Sequence, residues 1–287
     1  MNINPHRLAE GERVGDEPPS PPGVEPSCTD RSSVTREDPS FAHGLAASTT
    51  RLALQEIHLW QRPLRLGANE GERLHALLSL DEQQRAQRLH LEQDRRAFVA
   101  VRGTLRLLLG HYGQQPPARL RFRYSQEGKP FLEGEGPSLA FNVTHSGEWA
   151  LFAISREGDV GIDLEQVRPI TPERCLRLAR RFFSSREADA LEALPVGTIH
   201  AAFFACWTRK EAYIKCRGGT LAHLLAQCVV NVDPDQPASL LASPWQGDAQ
   251  GHCQLHDLPA ATGYRAALAL ASPLPFTLCH HPWGAKG

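Results

Sequence analysis

Residues 158–169 read GDVGIDLEQVRP. Val160, Ile162 and Leu164 alternate with Gly161, Asp163 and Glu165, the period of a strand that turns its apolar set to one face and both carboxylates to the other. Two acids side by side repel. A hard cation such as Mg²⁺ on oxygen ligands relieves that repulsion, and so does water on an exposed strand face; the segment by itself carries both readings.

Working outward from this strand, the downstream pattern turns helical around 174–183 and 187–194 and again over 198–216. GYRAALALAS (263–272) follows as a late strand. Upstream, SLAFNVT (138–144) and WALFAIS (149–155) flank a turn at 145–148, and LRFRY (120–124) precedes them, which predicts a meander on one face. Residues 74–109 are helix-rich, with a cap-like step from Ser79 to Glu82 and an amphipathic run over 95–109 that Gly110 and Gly113 close. RLALQEIHLW (51–60) alternates Leu52, Leu54 and Ile57 through Trp60, as a half-buried strand does.

Sliding the sequence by 105 residues aligns Ser79 with Ser184, Glu82 with Glu187, Ala97 with Ala202, Phe98 with Phe203 and Ala100 with Ala205. The elements on either side match in type and order. The expected fold class is therefore α+β: two similar α+β subdomains, 51–157 and 158–287, related by pseudo-twofold symmetry with the active site at their interface. Residues 1–50 include EPPSPPGVEPS and few large apolar side chains, which predicts a disordered leader.

Composition sets outer bounds. A formal charge of −1 gives no global field to collect nucleic acid, so an anionic ligand must be met by a local cluster of bases. No apolar run reaches the roughly 18 residues of a membrane span. The seven cysteines are odd in number and form no Cys-x-x-Cys pair, and the start MNINPHRLAEGERVG lacks the apolar core of a secretory signal. The expected compartment is the reduced cytoplasm.

Three further segments hold reactive side chains. In FFACWTRKEAYIKCRGG (203–219), Phe203, Trp207 and Ile214 lie near one helical stripe, and Glu211 and Lys215 are one turn apart, as a surface ion pair or part of a site. In AFNVTHSGEWALF (140–152), His145 and Ser146 occupy a tight turn; Arg95, Arg96 and Arg102 lie on a helix and Lys129 in the turn EGKP, each of which singly suits a solvated basic face. His252, Cys253 and His256 with Cys279, His280 and His281 are metal-ligand types, but their spacing matches no closed zinc pattern and reads as structural or tail.

The order of these pieces is distinctive: basic helix, GKP turn, N-x-x-H-S turn, G-x-D-x-E strand, then a W-x-x-K-E-x-x-x-K helix. The series, over about 52–282, resembles the 4'-phosphopantetheinyl transferase superfamily in its double-length, pseudo-symmetric, monomeric branch, the surfactin-synthetase-activating type. The resemblance implies Asp163, Glu165 and Glu211 as Mg²⁺ carboxylates, with Glu211 and Lys215 the catalytic pair and Lys215 near the pyrophosphate. It implies Arg96, Lys129, Thr144 and His145 on the phosphates of coenzyme A, including the ribose 3'-phosphate, with Lys210 flanking the site and Trp207 mainly packing. Thr144 stands where the family commonly has Ser, a change that keeps the hydroxyl. The implied reaction moves the 4'-phosphopantetheine arm of coenzyme A, as substrate, to a serine of an acyl or peptidyl carrier protein of fatty acid, polyketide or nonribosomal peptide biosynthesis, with Mg²⁺ as cofactor and 3',5'-ADP released. No nucleic acid or membrane partner is implied. Two alternatives use the same residues: a Mg²⁺-dependent nucleotide or coenzyme A pyrophosphatase with water as nucleophile, and a non-catalytic carrier-protein binding module, against which the retention of all three acids and Lys215 speaks.

Overall fold

The apolar alternation near residue 52 becomes β1 (Glu56–Pro63), with Ile57 and Leu59 on one face and His58, Trp60 and Arg62 on the other, all nearly inaccessible to solvent. The strand begins later than the alternation predicts because 54–55 form a turn that leaves Leu54 exposed. The computed structural model describes residues 51–134, 138–220 and 224–283, less the Ala68 side chain; the leader expected over 1–50 lies outside the described residues.

β1 pairs antiparallel with β5 (Trp149–Ser155), and β5 with β4 (Ala140–Ser146). The last strand, β11 (Thr277–Pro282), returns to lie parallel to β1, giving the order β11-β1-β5-β4. A second sheet, ordered β6-β10-β9, is antiparallel and is built from β6 (Val160–Gln166), β9 (Gln254–Leu258) and β10 (Tyr264–Leu270). An apolar core lies between the sheets, where Ile57, Leu59, Leu151 and Ala153 meet Ile162, Leu164 and Leu268. The predicted meander resolves differently. The LRFRY segment, as β2 (Arg121–Tyr124), pairs with the unforeseen β3 (Pro130–Glu133) in a ribbon of its own, and β7 (Val229–Val230) with β8 (Leu240–Ala242) form another.

The helices are α1 (Ala68–Ala76), α2 (Leu80–Arg88), α3 (Glu92–Gly113), α4 (Pro172–Phe182), α5 (Ser185–Glu192) and α6 (Val196–Arg217). α3 does not stop at Gly110. It continues to a left-handed Gln114 (φ 52°), and Gly110 instead gives room to the returning chain, since a Cβ there would lie 2.7 Å from the Gln115 carbonyl.

α2 and α5 both begin with a capping box, Ser79 with Glu82 and Ser184 with Glu187. Each boxed glutamate is buried and held from the long helix that follows: Glu82 by Arg102 and Arg106, Glu187 by Lys210, with the Cys206 thiol also on it. Arg102 and Arg106 thus correspond to Cys206 and Lys210, 104 positions on, whereas the capping boxes are 105 apart. The identities at Ala97, Phe98 and Ala100 fall one residue out of the register that these contacts set. Among the described residues, no helix is long and apolar enough to cross a membrane.

Candidate active site

β4 and β6 come from different sheets and run in parallel, joined by side chains. Asn142 Oδ1 accepts from the Ile162 N–H at 3.0 Å, Thr144 Oγ1 from the Leu164 N–H at 3.3 Å and Ser146 Oγ from the Gln166 N–H at 3.0 Å. The two hydroxyls also donate, Thr144 to Asp163 Oδ1 at 3.2 Å and Ser146 to Glu165 Oε2 at 3.1 Å. Each hydroxyl satisfies a backbone donor that lacks a strand neighbour and orients the carboxylate beside it. Period-two spacing on β4 thereby fixes period-two carboxylates on β6.

α6 lies across β6 and β10 and closes the other side of the cluster. Its Glu211 Oε1 accepts from the Trp207 indole N–H at 2.7 Å, and its Lys215 Nζ bridges Asp163 Oδ1 at 2.5 Å and Glu211 Oε2 at 3.2 Å. Trp207 therefore does more than pack among Phe182, Phe183 and Phe203. One oxygen each of Asp163, Glu165 and Glu211 lies within 4.8 Å of the other two. The residues are 0%, 4% and 1% exposed, which rules out the solvated strand face.

Three carboxylates against one ammonium leave the cluster short of positive charge, and the buried Asp163 Oδ2 has no hydrogen-bond partner. Burial first, then Asp163 and Glu211, pushes Glu165 up to about 9; burial and then Asp163 pushes Glu211 up to about 8. Burial works against the Lys215 ammonium, but Asp163 and Glu211 outweigh it and hold its pKa above the usual lysine value.

These shifts set a pH dependence. A carboxyl with its folded pKa above 4.5 keeps a proton that the unfolded chain has released, so the stability it confers is full below 4.5 and is lost as pH rises toward about 8 to 9. In chelator, Tm is expected to fall as pH is raised through that interval. A divalent cation held by these carboxylates would replace those protons, so its increment in Tm would be larger at the alkaline end. Thermal melts with and without Mg²⁺ across pH check this; an increment independent of pH would place the cation elsewhere.

The same chain is matched in tandem by two family models. Residues 68–157 fit the family described as 4'-phosphopantetheinyl transferase, N-terminal, and residues 159–269 the 4'-phosphopantetheinyl transferase superfamily. The 4'-phosphopantetheinyl transferase HetI of Nostoc sp. is 39% identical over 195 residues, 67% of this chain and 81% of its own. The chain belongs to the 4'-phosphopantetheinyl transferase superfamily. It is also similar to the 4'-phosphopantetheinyl transferases psf-1 of Bacillus pumilus, 28% identical over 202 residues (70% of this chain, 82% of the relative), and Sfp of Bacillus subtilis, 27% over 208 (72% and 88%). It is an enzyme of the 4'-phosphopantetheinyl transferase class, of the Sfp-like type.

Of the residues that the superfamily resemblance implicates, Asp163, Glu165, Glu211, Lys215 and Thr144 meet in one cluster. Thr144 is 1% exposed and serves Asp163 and the Leu164 N–H. His145 points away from β6, on the exposed side of β4; the protein packed against its ring, and then the Lys215 charge, hold its pKa below the ordinary histidine value, with Asp94 pulling the other way. Lys129 Nζ donates to the Cys216 carbonyl at 2.6 Å and so ties the GKP turn to the end of α6, one residue past Lys215. Lys210 is committed elsewhere, because its three donors are engaged by both Glu187 oxygens and the Cys228 carbonyl, which leaves none for a phosphate. Arg96 is exposed on α3 and, among the described residues, pairs with Glu92 at 2.9 Å. Gly161, Asn142 and Ser146, which belong to the sequence motifs but have no role assigned there, prove to be residues that position the acids.

Proposed function

We propose that this protein transfers the 4'-phosphopantetheine arm of coenzyme A to a serine of an acyl or peptidyl carrier protein, in a Mg²⁺-dependent reaction that releases 3',5'-ADP. The observation that carries the reading is the buried cluster of three carboxylates and one ammonium, with an unpartnered oxygen on Asp163. An all-oxygen, net-negative donor set suits a hard divalent cation, so Asp163, Glu165 and Glu211 are its holders. When bound, the cation supplies neutralisation of pyrophosphate charge. The names of the relatives support the group transferred.

The side chains divide the remaining work. Lys215, 15% exposed at the rim of the cluster, meets the pyrophosphate, and His145 and Arg96 reach the other coenzyme A phosphates from the open side. Lys129 holds α6 in place and adds positive charge there. Glu211, in its ionised form, takes the serine proton; burial and then the Asp163 charge raise its proton affinity above that of an ordinary carboxylate. Glu211→Gln keeps the size and an acceptor for Trp207; it is expected to lower kcat by about 10²-fold or more, with a smaller effect on coenzyme A binding. Equal losses in kcat and in coenzyme A affinity would remove the base role.

We also infer that the two α+β halves, 51–157 and 158–287, are a pseudo-twofold duplication with the site between them. Three features support this: the paired capping boxes with their buried acids, two family matches that meet around residue 158, and a site assembled from β4 of one half with β6 and α6 of the other. β11 breaks the symmetry by returning to the first sheet.

The test is the intact mass of an apo carrier protein incubated with this enzyme, coenzyme A and Mg²⁺, with a chelator control. Gain of one phosphopantetheine group, lost with chelator, is expected. Cleavage of coenzyme A with unmodified carrier would convert the reading to a pyrophosphatase, and no change in either would leave a binding module.

A further inference from the structure

A second group of metal-ligating side chains lies on the first sheet, outside the carboxylate cluster. In the parallel pairing of β1 and β11, Glu56 stands opposite Thr277, His58 opposite Cys279 and Trp60 opposite His281. Strand alternation puts Glu56 and His58 of β1 and Cys279 and His281 of β11 on the same face. One ligand atom each of Glu56, His58 and Cys279 lies within 4.8 Å of the other two, and the His281 ring centroid is 4.6 Å from that of His58.

The imidazoles are the independent sign of a ligand. His58 is 0% exposed; its Nδ1 is 2.6 Å from Tyr112 Oη, while Nε2 stands 3.4 Å from Glu56 Oε2 and makes no hydrogen bond. His281 Nε2 is likewise buried with no hydrogen-bond partner. Buried polar nitrogens are rarely left so, and two of them beside a thiol and a carboxylate call for a shared partner.

We propose that Glu56, His58, Cys279 and His281 form a structural Zn²⁺ site that clasps the last strand of the chain to β1. One thiolate, two imidazoles and one carboxylate suit Zn²⁺ and not Mg²⁺, so this site and the carboxylate cluster select different metals. Tetrahedral Zn²⁺ with bonds of about 2.0–2.3 Å holds its ligand atoms roughly 3.3–3.8 Å apart, so side-chain shifts of about 1 Å bring Glu56, His58 and Cys279 to those spacings, and the His281 ring, stacked on Trp60 beside them, turns in to supply the fourth ligand. Tyr112 Oη then accepts from His58 Nδ1–H and leaves the Nε2 lone pair for the metal, the arrangement by which an outer group orients a histidine ligand. Of the ligand types noted in the sequence, Cys279 and His281 take part; His256 packs on Phe276 instead.

Co²⁺ added to the metal-depleted full chain reports the site directly. One equivalent should bind with the strong visible bands of tetrahedral cobalt and a thiolate-to-cobalt charge-transfer band, displaced by Zn²⁺ and not by Mg²⁺. Cys279→Ser, conservative at a half-buried position, should lose the charge-transfer band, and Tyr112→Phe should weaken Zn²⁺ binding about tenfold, both with circular dichroism unchanged. In the unaltered protein, Zn²⁺ should suppress alkylation of Cys279 as mapped by mass spectrometry, a readout that needs no variant to fold. Charge transfer that survives Cys279→Ser, weak octahedral bands only, or alkylation of Cys279 indifferent to Zn²⁺ would each overturn the site. None of these readouts depends on transferase activity, so the clasp and the proposed reaction stand or fall separately.

Discussion

Asp163→Ala is expected to lower transfer by about 10³-fold or more in a protein that folds and, without divalent cation, loses little stability. The catalytic loss follows from removing the proposed oxygen ligand, which also anchors Lys215: charge stabilisation of several kcal/mol is at stake, and each 1.36 kcal/mol is tenfold in rate. The folding side runs the other way. Asp163 is the leading charge among those that hold Glu165 and Glu211 above the ordinary carboxylate value, so its removal relieves a repulsion that burial intensifies. Lys215 keeps Glu211 as a partner at 3.2 Å, and Thr144 keeps the Leu164 N–H. A site that destabilises its own protein until the ligand arrives is the usual relation between stability and function. Two measurements on the same variant test this: carrier modification at saturating Mg²⁺, and Tm in chelator across pH. A folded Asp163→Ala protein with full turnover would remove the metal assignment, and an unchanged slope of Tm against pH would remove the electrostatic account.

How far the sequence could be read depended on how local the deciding contact was. The alternation of 158–169 shows a strand and two acids on one face, because period two is written in neighbouring residues. It does not show that the acid face is buried, because the helix that covers it is α6, some 50 residues on. Lys210 and Glu211 are adjacent in sequence, which suggests a shared site. Successive helical residues point about 100° apart, however, so the neighbour of a site residue faces elsewhere, and Lys210 faces Glu187. The i, i+4 spacing of Trp207 and Glu211 was a usable signal for their hydrogen bond. So was the polar set Asn142, Thr144 and Ser146, matched to β6 at a constant offset of 20, although His145 was the more conspicuous residue of that segment. β11 was not legible because TLCHHP has no clean alternation and ends in proline, and its pairing with β1 spans almost the whole folded chain.

Among the described glycines, Gly161 is expected to tolerate least the methyl group that Gly161→Ala adds. In β6 this glycine lies opposite Ala269, and Asp163 opposite Ala267, so the face of the second sheet beneath α6 is paved with Gly161, Ala267 and Ala269. That paving lets the helix backbone rest directly on the sheet. A Cβ on Gly161 would lie 2.7 Å from Cys216 Cα and deeper still within contact distance of the Ala212 carbonyl and the Cys216 amide, all backbone atoms of α6 that no rotamer change can move. Accommodating the methyl group therefore requires α6 to lift, and with it go Glu211 and Lys215, which meet Asp163 only because the helix is seated so low. Overpacking of this kind costs about 1–3 kcal/mol or more in stability. The larger effect is on the site, where a displacement of about 1 Å can cost 10²-fold in rate. The variant should thus show a lowered denaturation midpoint together with loss of the Mg²⁺-induced rise in Tm, even though every charged residue of the cluster is present. Unchanged stability with full activity would mean that α6 does not bear on β6 at this point, and the close seating of the helix could no longer explain how acids from two elements converge.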